Sequence, residues 1–237
     1  MDIILIPGLW LDGGSWDRVT PSLLAAGHRV VAVTAPGYNG EDPGSVGYPD
    51  LVGAVVTEID NASGPALVVG HSASCAVAWA AADRRPARVR HVLLVGGFPI
   101  PDGMTVLNGF DATGDGALPF PGWQHFEGPD SDDLSEGDRS WLEGHMSPAP
   151  QDYALGTQTL ANPQRYEVPV TMICPEFSEQ DVRGWIEQDF DPVVELPKIQ
   201  HLSYVDLHSG HWPQASRQGD LAKIILKAAD AGERANR

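Results

Sequence analysis

The amino-acid sequence predicts an α/β fold, with a doubly wound, mostly parallel sheet of about six strands and helices on both of its faces. Two observations support this prediction. Short runs rich in Val, Ile and Leu alternate along the chain with segments of helical periodicity, which is typical of strand–helix–strand units joined by right-handed crossovers. The apolar runs show little alternation with polar residues, as expected for strands that are covered on both faces.

Six apolar runs are predicted as strands and five segments as helices. The predicted strands cover residues 2–6, 29–34, 66–70, 89–96, 170–174 and 202–207. The predicted helices cover residues 16–26, 49–61, 73–83, 178–188 and 215–229. A chain of 237 residues is long enough to bury a substantial core, either as one α/β domain or as two small ones.

The alternation of strands and helices is interrupted between Phe98 and Arg165. This segment is rich in Gly, Pro and Asp, yet it also contains several aromatic residues, which are Phe110, Phe120, Trp123, Phe126, Trp141 and Tyr153. Disordered linkers are poor in aromatic residues, so we predict an ordered lid. The sequence thus divides into an α/β core, residues 1–97 and 166–237, and a lid insertion, residues 98–165, with helices near 136–146 and 151–160.

The charge of the chain restricts its partners. The sequence has 15 Lys and Arg residues against 32 Asp and Glu residues, which gives a formal net charge of −17. Nucleic-acid binding requires a concentrated positive surface, so we expect no nucleic-acid partner, and an anionic membrane surface is disfavoured for the same reason. A small neutral or cationic molecule fits the composition better. The sequence leaves open whether the chain is a monomer or a homodimer.

Cysteine usage and the first residues predict a cytoplasmic protein. Cys75 and Cys174 are the only cysteines and both lie in apolar surroundings, which favours free thiols in a reducing compartment over a disulfide. The first residues, MDIILI, lack a basic segment, and their apolar run is too short for a signal peptide. No apolar run approaches the length of a membrane span. No Cys or His spacing indicates a metal site, and we expect no cofactor.

The segment VVGHSAS, residues 68–74, joins a predicted buried strand to an alanine-rich helix. A serine at such a sharp turn projects its Oγ from the carboxyl edge of the sheet, where ligands of α/β proteins bind. The turn requires small residues two positions before and after the serine, and Gly70 and Ser74 meet this requirement. Ser72 is therefore a candidate nucleophile. The alternative is a serine that only caps the helix.

Two other loops leave the predicted sheet at the same edge. The segment PGL, residues 7–9, follows the first strand, so the Leu9 amide could join the Ala73 amide in binding an oxyanion; otherwise it is an ordinary Pro-Gly turn. His211 follows the last strand in the segment SGHWP, where it is either a general base or a polar surface residue. His208 is a weaker candidate because it lies closer to the strand.

A third residue should orient the histidine. The chain order serine, acid, histidine places this acid after the strand at residues 170–174, and Glu176 lies two residues beyond that strand. Asp181 has capping-box spacing from Ser178, which gives it a local role at a helix start. Asp102, after the strand at residues 89–96, is the alternative acid, and an exposed surface position is the other interpretation of Glu176.

Aromatic residues near the candidate serine predict an apolar pocket. Trp10 follows the Leu9 loop and Trp212 follows His211. His71 directly precedes Ser72, and it either lines the pocket or packs within the turn. With the aromatic residues of the lid, these side chains indicate a medium-sized neutral substrate, although each lid aromatic could instead pack against the sheet.

Taken together, these motifs resemble the α/β-hydrolase superfamily, and within it the compact, cofactor-free group of serine esterases and hydroxynitrile lyase-like proteins. The matching segments are PGLW…GGSW at 7–16, AAGHRVVAVTAPGYN at 25–39, VVGHSAS at 68–74, VLLVGGFPIPDG at 92–103 and SGHWP at 209–213. The resemblance implies that Ser72 is the nucleophile, that His211 is the base, and that the Leu9 and Ala73 amides form the oxyanion hole.

The sequence departs from the pattern of this group at three places. Pro7 stands where His is usual, Ser74 stands where the last Gly is usual, and no aspartate follows the strand at residues 170–174. The first two changes preserve the backbone donors and the tight turn. The third leaves the identity of the acid open between Glu176 and Asp102.

We therefore expect a serine hydrolase that cleaves an ester or a related acyl bond of a small, neutral, largely apolar molecule through an acyl-enzyme. The alternative is a non-hydrolytic enzyme of the same fold, such as a lyase, cyclase or dehydratase that tailors a secondary metabolite with the same serine and histidine. A binding protein without catalysis would not need both of these residues.

Overall fold

The computed structural model describes residues 1–38 and 42–234 and contains a six-stranded parallel sheet in the order β2-β1-β3-β4-β7-β8. Asn39, the last residue of the second matching segment, and residues 235–237 of the predicted core lie outside the described residues. The strands are β1 (Asp2–Ile6), β2 (Arg29–Ala32), β3 (Ala66–His71), β4 (Val89–Val95), the short β5 (Ala117–Leu118) and β6 (Ala149–Pro150), β7 (Val170–Cys174) and β8 (Leu202–Asp206). The predicted α/β class is confirmed, and each strand of the main sheet ends within two residues of its predicted end.

The described α-helices lie between and after these strands. They are α1 (Thr20–Ala25), α2 (Tyr48–Asn61), α3 (Ser74–Arg84), α4 (Glu136–Glu143), α5 (Asp152–Leu155), α6 (Glu179–Glu187), α7 (Pro213–Ser216) and α8 (Gln218–Arg234). Within the described ranges, none of them is both long enough and apolar enough to cross a lipid bilayer.

Two predicted helices differ from the structure. Of the segment predicted at 16–26, only Thr20–Ala25 is α-helical; this helix, α1, has Pro21 in its first turn, and a short 3-10 turn, Gly13–Trp16, precedes it. Proline is tolerated there because it lacks an amide that the first turn leaves unpaired. The segment predicted at 215–229 is interrupted at Arg217, whose backbone leaves the helical region between α7 and α8.

Side chains of alternating positions along each strand face opposite layers of helices. In β1, Ile4 and Ile6 belong to the core shared with α2 and α3, whereas Ile3 and Leu5 pack in the core shared with α1 and α8. All four are fully buried. This explains the uninterrupted apolar run, because a strand covered on both faces needs apolar residues at every position.

The order of the strands places two loops next to each other at the carboxyl edge. Strands β1 and β3 are neighbours, with Ile6 opposite Gly70. The chain leaves β1 toward β2 on one side and leaves β3 toward β4 on the other. Such a reversal opens a crevice between two loops, and ligands of α/β proteins bind there. The loop with Leu9 and the turn with Ser72 border this crevice.

Residues 98–165, hereafter the insertion, connect β4 to β7. The insertion contains α4, α5 and the antiparallel pair of β5 and β6. The helix predicted at 136–146 ends at Glu143. The helix predicted at 151–160 is wrong beyond Leu155, because Gly156 is extended and Thr157 then pairs with Thr105 in an antiparallel bridge.

A buried ion network fixes the end of the insertion to the core. The guanidinium of Arg165 donates to Asp83 at 3.1 Å and to Glu195 at 3.0 Å, and all three side chains are buried. Asp83, at the end of α3, also accepts from the amides of Ala161 and Asn162. The last turn of the insertion is thus tied to a core helix by both side-chain and backbone contacts.

Candidate active site

Ser72 occupies the sharp turn between β3 and α3. Its φ of 56° lies in the left-handed region, and its amide donates to Val95 O of the neighbouring strand at 2.8 Å. A Cβ added at Gly70 would lie 2.5 Å from Ser74 O, so the helix approaches the strand too closely for a larger residue there. A left-handed backbone at a residue other than glycine, as at Ser72, is strained, and such strain is often found at functional sites.

Ser74, the residue that departs from the usual glycine, makes a contact of its own. Its hydroxyl donates to Pro7 O at 2.6 Å, and the contact is buried. The turn that carries Ser72 is therefore bonded to the loop that carries Leu9. The sequence predicted only that a serine is small enough for this position.

His211 links Ser72 to Glu176. Its Nε2 atom lies 2.8 Å from Ser72 Oγ, and its Nδ1 atom lies 2.7 Å from Glu176 Oε1. The His211 and Glu176 side chains are only 15% and 14% exposed. Three side chains from the ends of β3, β7 and β8 thus form one chain of two hydrogen bonds.

The insertion holds the loop that carries His211. The His211 amide donates to Asp130 O at 2.7 Å, and the Gly210 amide donates to Asp133 Oδ2 at 2.8 Å. Asp130 and Asp133 belong to the acidic segment of the insertion, for which the sequence analysis gave no role. A local signal for these contacts is absent from the sequence, because they join residues about 80 positions apart.

The environment of His211 favours its protonated form. Burial by itself lowers the pKa of the ring, but the hydrogen bond and charge of Glu176, with the charge of Asp130, outweigh it and raise the pKa above the usual 6.5. Burial raises the pKa of Asp130, and the charge of Glu176 adds to this effect. An imidazolium formed at this position is therefore stabilised.

The other candidate residues lie elsewhere or have other partners. Asp102 accepts from the Leu160 amide at 2.8 Å, so the structure does not bring it to His211. His208 is exposed. Asp181 accepts from the amide and hydroxyl of Ser178, and the Ser178 hydroxyl contacts hold the pKa of Asp181 below its usual range, as expected for a capping box.

Leu9 and Ala73, the residues whose amides are the candidate oxyanion donors, lie beside Ser72. Leu9 lines one cavity with Ser72, and Ala73 lines another. Neither amide donates to a partner within residues 1–38 and 42–234. The next residue, Trp10, has a φ of 70°, and its amide donates to Tyr38 Oη at 3.1 Å. The sequence analysis missed Tyr38, because its contact joins two loops and leaves no local pattern.

Two cavities meet at Ser72 and His211. The larger has a volume of about 320 Å³ and is lined mainly by apolar residues, among them Phe98, Ile100, Met104 and Val106. The smaller has a volume of about 140 Å³. Its walls include the aromatic residues Trp10, Phe110, Phe126 and Trp212.

The predicted pocket residues have different positions in the structure. Trp10 and Trp212 line the smaller cavity. His71 borders it as well, but its ring is fully buried and both nitrogens have polar neighbours: Nε2 donates to His211 O at 2.7 Å, and Nδ1 lies 3.4 Å from the Gln214 amide nitrogen. Burial, followed by the charge of His211, lowers the pKa of His71 to about 3. His71 therefore stays neutral and supports the histidine loop.

The aromatic residues of the insertion have different environments. Phe110 and Phe126 line the smaller cavity. Phe120 and Trp123 do not line it and pack against Trp10 and Trp212, respectively. Tyr153 is buried and donates to Pro36 O. Trp141 lies under the guanidinium of Arg18.

Cys75 and Cys174 are buried free thiols. Among the described residues, no group of three or more His, Cys, Asp or Glu side chains could hold a metal ion.

Comparisons with known proteins agree with the fold described above. A family model described as the alpha/beta hydrolase family matches residues 3–224, and a search of curated proteins gave no match. The chain superposes on an extracellular alpha/beta-hydrolase from a Paenibacillus species with a TM-score of 0.78 at 17% identity, covering 96% of this chain and 98% of the other. A pyrethroid hydrolase from Sphingobium faniae has the same fold, with a TM-score of 0.76 at 22% identity, covering 98% of each chain. A methylesterase from Arabidopsis also has this fold, with a TM-score of 0.73 at 15% identity, covering 97% of this chain and 99% of the other.

Proposed function

The chain belongs to the alpha/beta hydrolase family, and from this premise we propose that it is a serine hydrolase that cleaves an ester, or a related acyl bond, of a small, neutral, largely apolar molecule. One observation carries the proposal. The two hydrogen bonds from Glu176 through His211 to Ser72 end at a hydroxyl that lines two apolar cavities. This arrangement suits a nucleophile, a base and an orienting acid.

Glu176 fixes the tautomer of His211, that is, which ring nitrogen carries the proton of the neutral imidazole. It accepts from Nδ1–H, so the lone pair of Nε2 is free to accept the proton of Ser72. When the imidazole becomes charged, the carboxylate stabilises that charge. A glutamate therefore has the role that an aspartate has in related proteins.

The reaction proceeds in two halves. Ser72 Oγ transfers its proton to His211 Nε2 and forms a bond to the carbonyl carbon, and the Leu9 and Ala73 amides donate to the oxyanion. His211 then gives its proton to the leaving oxygen as the bond from that oxygen to carbon breaks. Water attacks the acyl-enzyme, gives a proton to His211, and Ser72 Oγ leaves with that proton restored.

The substrate class follows from the surroundings of Ser72. The cavity walls are largely apolar, and the residues that line them include no Lys, Arg, Asp or Glu. A net charge of −17 disfavours the approach of anions. The similar structures include one named as a pyrethroid hydrolase and one named as a methylesterase, and these names support the same reaction class here.

The alternative of a lyase, cyclase or dehydratase is less well supported. The absence of an aspartate after the strand at residues 170–174 would favour it if no other acid reached His211, because an incomplete triad is poorly suited to acyl transfer. Because the Glu176 carboxylate lies within hydrogen-bonding distance of His211, that reason no longer applies.

Trapping of the acyl-enzyme tests the proposal. The protein is mixed with 4-nitrophenyl butyrate, quenched in acid and analysed by mass spectrometry after proteolysis. We expect release of nitrophenolate and a butyryl group on Ser72, and neither with Ser72→Ala. Ser15→Ala is the matched control, because Ser15 is buried and its hydroxyl donates to Asp12 O. Equal turnover by Ser72→Ala and wild type would exclude the proposed nucleophile.

A further inference from the structure

We propose that the preferred substrate is an ester with two apolar arms of unequal size, and that Leu107 is the residue that separates them. This inference rests on the proposed function. It assigns a phenyl-sized arm to the cavity of about 140 Å³ and a longer arm to the cavity of about 320 Å³.

The two cavities share only three of their lining residues. These are Ser72, His211 and Leu107. Leu9 lines the smaller cavity and Ala73 the larger, so each cavity reaches one of the two candidate oxyanion donors. A carbonyl carbon bonded to Ser72 Oγ therefore has one cavity on each side, and its two substituents must point in different directions.

The smaller cavity matches one aromatic ring in size and in the nature of its walls. A protein cavity of about 150 Å³ binds benzene. Rings of the wall already contact each other edge to face, with centroids 5.2 Å apart for Trp10 and Phe110 and 5.1 Å apart for Phe126 and Trp212. Aromatic groups prefer this geometry, so a phenyl group would extend an existing cluster.

The larger cavity suits a longer and more flexible group. Its volume is more than twice that of the smaller cavity, and its walls include the aliphatic or thioether side chains of Ile100, Met104 and Val106. Phe190, at its rim, is 47% exposed, so this cavity reaches the surface. An octyl arm is longer and more flexible than a phenyl ring, so it suits this open cavity better than the smaller one.

Leu107 is held in place by the backbone around it. Its amide donates to Ala154 O at 2.8 Å, and the amide of Val106 donates to Gly156 O at 3.0 Å. The neighbouring bridge between Thr105 and Thr157 continues this pairing. The fixed backbone keeps residue 107 between the two cavities, so the volume of its side chain determines how far they are separated.

Esters that differ only in their arms test the assignment. The panel is benzyl octanoate, octyl benzoate, benzyl benzoate and octyl octanoate, with hydrolysis followed by proton release. Wild type should hydrolyse an ester with one phenyl and one octyl arm with a kcat/KM about 10-fold or more above that of octyl octanoate, because a misfit of one or a few methylenes in an apolar pocket costs 10- to 200-fold. Which of the two mixed esters is faster tells which cavity receives the acyl arm.

Three variants identify the residue responsible. Leu107→Ala joins the cavities and should raise the kcat/KM of octyl octanoate relative to the mixed esters by about 10-fold. Val106→Ala enlarges only the larger cavity and should not give this gain. Leu155→Ala, a change of the same type at an exposed position outside both cavities, should leave the order of the four esters unchanged.

The outcomes separate this inference from the proposed function. If 4-nitrophenyl butyrate is hydrolysed through Ser72 but the four esters react alike, or Leu107→Ala does not change their order, the assignment of two arms is wrong and the hydrolase remains. If no ester is hydrolysed through Ser72, both proposals are wrong.

Discussion

The Oγ atom of Ser72 lies 2.8 Å from the Nε2 atom of His211, although 139 residues separate them in the sequence. The strands that precede them, β3 and β8, are separated by β4 and β7, so the two loops start roughly 14 Å apart at the usual strand spacing. Gly96, at the end of β4, lets His211 lie over the sheet: its φ is 60°, and an added Cβ would stand 3.4 Å from Nδ1 of the imidazole.

Replacement of Glu176 should impair turnover without unfolding the protein. In Glu176→Gln the amide cannot balance the charge of the imidazolium and can turn its NH₂ toward Nδ1, which favours the wrong tautomer. We expect kcat for 4-nitrophenyl butyrate to fall by about 10²–10⁴-fold, the larger value being that of an analogous change in a serine protease. Asp102→Asn is the control, because Asp102 is exposed and accepts from the Leu160 amide. A large loss in the control, with little loss in Glu176→Gln, would reverse the assignment of the acid.

The pH dependence of kcat/KM should report the charge around His211. The base must be neutral, so activity should rise with pH through a pKa above 6.5, since Glu176 and Asp130 raise it. Asp130→Asn removes one of these negative charges but keeps the carbonyl that accepts from the His211 amide. The imidazolium is then less stable, and the profile should move to lower pH.

A charge change at a nearby position provides the comparison for this shift. Asp132→Asn alters the same net charge at an exposed position of the insertion, and its profile should coincide with that of wild type. His71 does not confuse the result, because its pKa of about 3 keeps it neutral throughout the measured range. A shift of equal size in both variants, or none in Asp130→Asn, contradicts the assigned role of Asp130.

Local motifs allowed prediction of the residues that follow the strands. The turn at Ser72 and the loops at Leu9 and His211 could each be located because a buried strand ends in a short, distinctive segment. Glu176 was predicted from its position two residues beyond the strand at 170–174, because nothing in its immediate sequence distinguishes it from Asp102. The main sheet was predictable for a related reason, since parallel strands buried on both faces give continuous apolar runs.

Contacts between distant loops were not predictable. Tyr38 reaches Trp10, Ser74 reaches Pro7, and the Asp130 carbonyl reaches His211 only through the tertiary fold. The end of α5 was missed because residues beyond Leu155 pair with an extended segment far away in the sequence. Pairing partners of this kind override local helical preference.

Tyr38 should affect the transition state more than substrate binding. Its hydroxyl accepts from the Trp10 amide, one residue after the Leu9 amide, and Trp10 has a left-handed backbone that needs such support. In Tyr38→Phe the buried amide loses its acceptor, and the Leu9 loop becomes less well positioned. We expect kcat to fall by up to about 10-fold, the equivalent of one hydrogen bond, with KM little changed.

The chain offers a close control for this change. Tyr48 is also buried, and its hydroxyl donates to Gln158 Oε1 at 2.8 Å, away from the Leu9 loop. Tyr48→Phe should lower the melting temperature by a similar amount but leave kcat unchanged. Equal losses of kcat in the two variants would mean that Tyr38 acts only through overall stability.

Arg165 should contribute to stability rather than catalysis. Its replacement in Arg165→Met leaves the carboxylates of Asp83 and Glu195 buried without their shared cation, and loss of one partner from a buried ion pair costs about 3–5 kcal/mol. The free energy of unfolding, measured in urea, should fall by about that amount.

Arg183→Met is the comparison. Its partner Glu179 is also acidic, but the pair is largely exposed, and water replaces such contacts readily. Because the Arg165 network ties the insertion to α3 and not to Ser72, the folded fraction of Arg165→Met should keep the kcat of wild type. Similar losses of stability in the two arginine variants would contradict the role of the buried network.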